Sequence, residues 1–211
     1  MTAVIVCNGN IRDYSYYGKF FRQARLVICV DGGARHMRNF DLKPDILVGD
    51  FDSINKDDYE YYVNKQVEIL KFPVQKDLTD TELAVNIAIN KGCRHIIFIG
   101  CLGSRLDHTL SNIFLLKLLL DKGITGIVTD ENNEITLIKD SITLKREENT
   151  RVSLVPLSET VEGITLSGLY YPLDNASVEL GSAWGVSNEF AEDSAQISIK
   201  KGLLLVIKAR D

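Results

Sequence analysis

Six short apolar runs alternate with helical segments over the first 130 residues, and this alternation constrains the fold more than any other feature. The runs are 3–7, 26–30, 46–48, 67–70, 95–99 and 126–130. Short β-branched runs closed by turn residues predict buried strands, and strands that alternate with helices predict a parallel sheet covered on both faces. We therefore predict an α/β domain over residues 1–140, built on a doubly wound, mostly parallel, Rossmann-like sheet.

The pattern changes from Glu134 onward. Seven further short runs, alternating or apolar, are separated by turn residues: 135–138, 142–145, 152–156, 161–166, 177–180, 195–200 and 203–207. Short strands at this spacing predict an antiparallel sandwich or barrel, and we assign residues 141–211 to a small all-β sandwich domain. A domain of about 70 residues has a thin core, so burial against another subunit would stabilise it.

Two of the helices are marked clearly in the sequence. Thr79 and Glu82 have the spacing of a capping box, which predicts a helix that begins at Asp80 and stops at Gly92. A strongly apolar helix is predicted over Thr109–Lys122. Helical spacing places four of its apolar residues on one face: Leu110, Ile113, Phe114 and Leu118.

The composition is that of an ordinary globular protein. Hydrophobic residues make up 45% of the chain, and the net charge of −5 argues against a nucleic-acid partner. No apolar run approaches the roughly 18 residues of a membrane span, and the start of the chain lacks the basic flank of a signal peptide. The four cysteines form no C-x-x-C pair. We therefore expect reduced thiols, no zinc site and a cytoplasmic protein without membrane contact.

Carboxylates follow four of the predicted strands. They are Asp31, the pair Asp50 and Asp52, the pair Asp77 and Asp80, and Asp107. The carboxyl ends of parallel strands meet at one edge of the sheet, where ligands bind in open α/β folds. Aspartate is common in turns, and helix capping by itself explains Asp80. Acids at four strand ends nevertheless predict a carboxylate cluster, which repels itself unless a cation such as Mg²⁺ binds.

Basic residues and glycines are interleaved with these acids. Lys76 and Arg105 can neutralise phosphate oxygens, and Gly32 and Gly33 can present backbone N–H groups to an anion, although a tight turn explains the same glycines. The loop 8–10 (Asn-Gly-Asn) is interpreted as an ordinary turn. Acids and cations together predict Mg²⁺ with a polyphosphate. The chain has no G-x-x-x-x-G-K-[ST], no G-x-G-x-x-G after the first strand, and no protein-kinase H-R-D or D-F-G motif.

Several motifs occur in the order and spacing of a known family. They are Val30-Asp31-Gly32-Gly33-Ala34, Pro44-Asp45 with Gly49-Asp50-Phe51-Asp52-Ser53, Lys76-Asp77-x-Thr79-Asp80, Gly100 with Gly103-x-Arg105-x-Asp107-His108, and the C-terminal Gly185-Val186-Ser187-Asn188-Glu189. With them the chain resembles the thiamine pyrophosphokinase family over almost its whole length. The resemblance implies Mg²⁺-dependent transfer of pyrophosphate from ATP to the hydroxyl of thiamine, giving thiamine diphosphate and AMP. It also implies a homodimer, with thiamine held between the α/β domain of one subunit and the β domain of the other.

The resemblance further implies roles for single residues. Its catalytic carboxylates are Asp50, Asp52, Asp80 and Asp107, of which the first three are metal ligands. The residues implied for ATP binding are Asp31, Gly32, Gly33, Lys76, Asp77, Gly100, Gly103 and Arg105. Those implied for thiamine are Trp184, Ser187 and Asn188. One acid would take the proton from the thiamine hydroxyl, and we favour Asp80.

Three other functions stay open at this point. A pyrophosphokinase that acts on a pterin-type alcohol would need the same acids, but the run 185–189 argues against it. A protein that only binds thiamine or its diphosphate does not need four carboxylate positions, and in a purely structural protein they would be unexplained repulsion. For two residues a structural role is the stronger alternative: Trp184 as a core residue, and His108 as a helix cap or core residue.

Overall fold

The structure, a computed structural model, describes residues 1–75 and 77–210. It consists of two compact units, Met1–Glu131 and Asn132–Asp211. The second unit begins before residue 140 because the strand Asn133–Ile138 pairs with Leu204–Ala209 inside that unit. None of the helices within the described ranges has the length and apolar character needed to cross a membrane.

The first unit is built on a sheet of parallel strands. They are β1 (Thr2–Val6), β2 (Leu26–Val30), β3 (Ile46–Gly49), β4 (Glu68–Lys71), β5 (His95–Ile99) and β6 (Thr125–Thr129). Their order in the sheet is β6-β5-β1-β2-β3-β4. The helices between them are α1 (Gly18–Gln23), α2 (Ala34–Asn39), α3 (Lys56–Asn64), α4 (Asp80–Asn90) and α5 (Leu106–Asp121). Short 3₁₀ turns precede α1 and α2, at Tyr14–Tyr17 and Asp31–Gly33.

Helices cover both faces of this sheet. Val4 of β1 packs with Met37 of α2 and Tyr62 of α3. Its neighbour Ile5 is fully buried as well and points to the opposite face, because side chains alternate along a strand. The helix α4 packs against β1, β2 and β3, and α5 packs against β6. The structure thus confirms the predicted α/β class, and the strand order reverses between β1 and β5, where such sheets bind ligands.

The helix α5 does not bury the predicted face. Its buried leucines include Leu116 and Leu119, whereas Leu110 and Phe114 are 42% and 50% exposed. A Cβ at Gly126 of β6 would lie 2.6 Å from Leu116 and 2.7 Å from Leu119, so the absence of a side chain there lets the helix approach closely. Apolar residues occur on all sides of this helix, so packing against β6 determines which face is buried.

The second unit is a sandwich of two antiparallel sheets, as predicted. Its strands are β7 (Asn133–Ile138), β8 (Ser141–Lys145), β9 (Arg151–Pro156), β10 (Thr160–Ser167), β11 (Leu173–Glu179), β12 (Asn188–Glu189), β13 (Ser194–Ser198) and β14 (Leu204–Ala209). One sheet has the order β12-β9-β14-β7 and the other the order β11-β10-β13-β8. Leu154 and Val206 of the first sheet share one core with Ile164 and Ile197 of the second. The two-residue strand β12 is missing from the sequence prediction.

Candidate active site

A cleft of about 560 Å³ opens at the carboxyl ends of β1, β2, β3 and β5. The loops after these strands line it, together with the N-terminal ends of α4 and α5. The lining includes residues 7–10, 31, 50, 52, 53, 79–81 and 100–105. This is the sheet edge at which the carboxylates are predicted to meet.

Three of the predicted acids do meet there. Asp31, Asp50 and Asp52 each place a carboxylate oxygen within 4.8 Å of the other two. Asp31 is only 7% exposed, and its Oδ1 has no hydrogen-bond partner within residues 1–75 and 77–210. A buried carboxylate oxygen without a donor is costly unless a ligand meets it. The group therefore fits a hard divalent cation such as Mg²⁺, which takes oxygen ligands.

The electrostatics of Asp31 agree with this interpretation. Burial raises the pKa of Asp31, a hydrogen bond from Ser53 lowers it, and the neighbouring charges of Asp52 and Asp50 raise it again. The net effect is a raised pKa, so the ionised form is destabilised when no cation is bound. A divalent ion between the carboxylates would reverse this effect.

The backbone bends sharply at two positions of the acidic group. Asp31 has a φ of 44° and Phe51 a φ of 67°, in the left-handed region that non-glycine residues rarely adopt. Such conformations cost about 1–3 kcal/mol each and cluster at functional sites. The Phe51 ring packs on Tyr59 of α3 with centroids 5.3 Å apart, which anchors the turn that carries Asp50 and Asp52.

The loop after β1, interpreted as an ordinary turn, also lines the cleft. The Gly9 N–H donates to the Gly100 carbonyl at 2.7 Å. A Cβ at Gly9 would lie 2.4 Å from that same oxygen, so the contact requires glycine. From α2, Arg35 donates to the Asn8 carbonyl at 2.9 Å, and the buried His36 Nε2 lies 2.7 Å from the Gly9 carbonyl. Two side chains of α2 thus hold the backbone of this loop in place.

The two glycines after β2 serve close packing. Gly32 and Gly33 are buried. A Cβ at Gly33 would lie 2.5 Å from the Val6 carbonyl, and one at Gly32 would lie 2.3 Å from the Asn8 amide. These contacts account for both glycines without a phosphate, and their role in ATP binding stays a prediction.

The acids before α4 are placed differently from one another. Asp80 is the first residue of α4, as predicted, and the Thr79 hydroxyl caps the helix by accepting the Glu82 N–H at 3.2 Å. Asp80 lines the cleft and is half-buried. Asp77 is exposed in the preceding loop. Lys76, predicted to bind phosphate, lies outside the described residues.

Arg105 and Asp107 pair with each other at the start of α5. The Arg105 Nη2 donates to Asp107 Oδ2 at 2.7 Å and its Nε to Oδ1 at 3.3 Å. The hydrogen bond from Arg105 holds the pKa of Asp107 below its usual value. Arg105 lines the cleft, and Asp107 is not one of the three acids that meet there.

Two side chains that the sequence analysis considered as core residues, His108 and Trp184, are exposed. His108 lines the cleft, and Trp184 is 61% exposed in the loop between β11 and β12. The core alternative is therefore wrong for both. Two exposed tyrosines, Tyr170 and Tyr171, belong to the same unit as Trp184 and pack edge to face, with ring centroids 4.9 Å apart.

The predicted thiamine residues Ser187 and Asn188 are both engaged within the second unit. Ser187 has a φ of 63°, and its N–H donates to the Ser153 hydroxyl at 3.0 Å. Asn188 is buried; its Oδ1 accepts the Tyr171 N–H at 3.0 Å and the Glu189 N–H at 2.9 Å, and its Nδ2 donates to the Tyr171 carbonyl at 2.8 Å. One N–H of the Asn188 amide remains for a ligand.

Two family models match the chain: the thiamin pyrophosphokinase catalytic domain over residues 17–128, and the thiamin pyrophosphokinase vitamin B1 binding domain over residues 139–204. A thiamine pyrophosphokinase of Bacillus subtilis is 32% identical over 188 residues, covering 88% of each protein. The crystal structure of Bacillus subtilis thiamine pyrophosphokinase matches with a TM-score of 0.90 at 31% identity and 100% coverage of both chains. That of thiamin pyrophosphokinase from Geobacillus thermodenitrificans matches with a TM-score of 0.88 at 29% identity, covering 100% of this chain and 98% of that one. The chain therefore belongs to the thiamine pyrophosphokinase family of enzymes.

Proposed function

We propose that this enzyme transfers the pyrophosphoryl group of ATP to the hydroxyl of thiamine in a Mg²⁺-dependent reaction that yields thiamine diphosphate and AMP. The observation that carries the proposal is the buried Oδ1 of Asp31, which lies beside Asp50 and Asp52 and has no hydrogen-bond partner among the described residues. Transfer of phosphoryl groups depends on positioning and on neutralising charge, and this cleft offers acids for a cation beside tight glycine loops. The substrate follows from the family, whose second matched domain is named for vitamin B1.

The acidic group has a defined part in this proposal. Asp31, Asp50 and Asp52 would hold Mg²⁺, and bound Mg²⁺ would neutralise charge on the phosphate oxygens. Asp80 would accept the proton of the thiamine hydroxyl, because it is a half-buried carboxylate in the same cleft. Asp107 would act through Arg105, with which it pairs.

The phosphates of ATP would lie along the loop 100–105. Gly100 has a φ of 65°, and a Cβ there would lie 2.6 Å from the Cys7 carbonyl, so this turn is tight. A Cβ at Gly103 would lie 3.8 Å from Gly9 Cα, an ordinary packing distance, so the two glycine loops contact each other here. The Arg105–Asp107 pair is exposed on both sides. Exposed pairs contribute little to stability, so Arg105 can exchange Asp107 for phosphate oxygens.

The second unit would supply the thiamine contacts. Trp184 is 61% exposed, and Tyr171 is 63% exposed. The thiazolium ring of thiamine is cationic, and a cation is attracted to the face of an aromatic ring. Ser187 and the free N–H of Asn188 are the proposed hydrogen-bonding groups.

We also propose a homodimer located in the cytoplasm. Large apolar side chains are exposed on both units, such as Leu106 and Phe114 on α5 and Val186 near β12, at 66%, 50% and 50%. A second copy that covers such residues would stabilise the thin β sandwich. The four cysteines are free and buried, in keeping with a reducing compartment.

The test is nucleotide analysis after the protein is mixed with ATP, Mg²⁺ and thiamine. We expect AMP and thiamine diphosphate in equal amounts, with the label of γ-³²P-ATP found in thiamine diphosphate. ADP together with thiamine monophosphate would indicate that a single phosphoryl group is transferred instead. Tight thiamine binding without turnover would indicate a binding protein instead of an enzyme. Faster turnover of a pterin-type alcohol would indicate a different substrate.

A further inference from the structure

The Ser53 hydroxyl joins the ends of three neighbouring strands. Its Oγ lies 2.8 Å from Asp31 Oδ2, 3.2 Å from the Gly32 backbone nitrogen and 3.4 Å from Asn8 Nδ2. Asn8 follows β1, Asp31 and Gly32 follow β2, and Ser53 follows β3, and these strands are adjacent in the sheet. One side chain therefore connects three of the loops that line the cleft.

The chemistry of the partners sets the direction of each hydrogen bond. A serine hydroxyl has one proton to donate and two lone pairs that accept. The Gly32 N–H and the Asn8 amide are donors, so they occupy the lone pairs, and the hydroxyl proton goes to Asp31. Because Asp31 Oδ2 is engaged in this way, Oδ1 is the oxygen left for a ligand, and it is the atom that has no partner in the described parts of the chain.

Close packing shows that the junction tolerates little change. A Cβ at Gly32 would lie 2.3 Å from Asn8 Nδ2 and 2.8 Å from Ser53 Oγ. Cβ atoms essentially never come so close to another atom, so a side chain at Gly32 would push these groups apart. The absence of a side chain at Gly32 thus leaves the space that the Asn8 and Ser53 side chains occupy.

We propose that Ser53 is a positioning residue, whose hydroxyl orients the Asp31 carboxylate so that the cation site of Asp31, Asp50 and Asp52 is assembled before substrates bind. The inference rests on the proposed function, since it concerns the proposed Mg²⁺ site. Hydrogen bonds that orient metal-binding side chains typically change metal affinity by about 10–100-fold when they are removed.

Direct binding of Mn²⁺ to the full chain tests this inference, measured by electron paramagnetic resonance without ATP or thiamine. We expect Ser53→Ala to weaken Mn²⁺ binding about tenfold. Ser53→Thr keeps the hydroxyl and should stay within about threefold of the unmodified protein, whereas Ser53→Cys, with its weak thiol donor, should resemble Ser53→Ala.

A matched control exists in the second unit. The Ser158 hydroxyl donates to the Thr160 carbonyl at 2.9 Å and accepts the Leu203 N–H at 3.0 Å. Ser158→Ala removes a comparable hydrogen-bonding hydroxyl far along the chain from the acids and should leave the affinity for Mn²⁺ unchanged. Thermal unfolding of each variant shows whether it is folded, and Ser53→Cys serves in place of Ser53→Ala if the alanine variant is not.

Three results would overturn the inference. They are equal Mn²⁺ affinity in the Ser53→Ala and unmodified proteins, an equal loss in Ser158→Ala, and no measurable Mn²⁺ binding by an unmodified protein that turns over. Failure of the proposed function has a different signature. In that case the unmodified protein forms no thiamine diphosphate, whatever the effect of Ser53→Ala on Mn²⁺ binding.

Discussion

The carboxylate clusters of the two units differ in the charged groups that surround them. In the second unit, Glu134 and Glu147 share Lys208, which is 9% exposed, bonds to Glu147 and lies 3.2 Å from Glu134. In the first unit, Asp31 and Asp52 approach each other closely, and no ion pair joins either of them to a basic side chain of the described residues. Within residues 1–75 and 77–210, a buried lysine thus balances the glutamates of the second unit, whereas Asp31 and Asp52 have no such basic partner.

The pKa directions express the same difference. Burial lowers the pKa of Lys208, but its bonds to Glu147 and Glu134 outweigh burial and hold that pKa above its usual value. Burial raises the pKa of Asp31, and its neighbouring carboxylates raise it further. The surroundings therefore stabilise the charged form of Lys208 and destabilise the charged form of Asp31. A buried carboxylate whose charged form is disfavoured, in a cleft, is typical of functional sites.

The largest expected effect is on turnover and comes from the acidic group. Asp50→Asn should lower kcat by about 1000-fold, because the proposed metal site supplies several kcal/mol of charge stabilisation. Thermal unfolding shows whether the variant is folded. The exposed Asp174→Asn is the matched control and should retain full turnover. Normal thiamine diphosphate formation by Asp50→Asn would remove Asp50 from the site.

At the cluster of Glu134, Glu147 and Lys208 we expect a substitution to change stability. Lys208→Met removes the buried partner of Glu134 and leaves Glu147 with Arg210, and it should lower the free energy of unfolding by about 3 kcal/mol in urea titrations. Lys201 pairs with Glu162 at the surface, so Lys201→Met should leave that free energy almost unchanged. Equal losses in the two variants would break the distinction between buried and exposed pairs.

Mg²⁺ should stabilise the protein only when its proposed binding site is intact. At a hundred times its dissociation constant, Mg²⁺ should add about 2.7 kcal/mol to the stability of the unmodified protein, and EDTA should remove this gain. Thermal unfolding with and without MgCl₂ measures the effect. Asp31→Asn should abolish the gain and Lys208→Met should keep it. An equal gain in both variants would place the cation elsewhere.

The smallest effect is expected at the proposed thiamine contact. Trp184→Ala should raise the KM for thiamine about tenfold, or about 1.4 kcal/mol, which lies within the range of a cation–aromatic contact. The KM for ATP should change less than about twofold. Leu180, also 61% exposed in the second unit, provides the control variant Leu180→Ala. Parallel rises in both Michaelis constants would argue against a thiamine contact.

Local sequence was enough to predict the elements and much of the edge that binds ligands. The apolar run ending at Gly49 indicated β3, and the capping box of Thr79 and Glu82 placed the start of α4 at Asp80. Strand ends in a parallel sheet share one edge, so acids at those ends predicted the meeting of Asp31 with the loop after β3. These signals involve neighbours within a few residues, and short-range patterns report them directly.

The tertiary structure decided which of these groups meet and what holds them. It brought Asp31 next to Asp50 and Asp52 but paired Asp107 with Arg105, and it selected the buried face of α5, which apolar spacing could not distinguish. It also joined Ser53 to Asn8, 45 residues away in the chain. That contact exists because β1, β2 and β3 are adjacent in the sheet. Strand order follows from the packing of the whole unit, which no local pattern encodes.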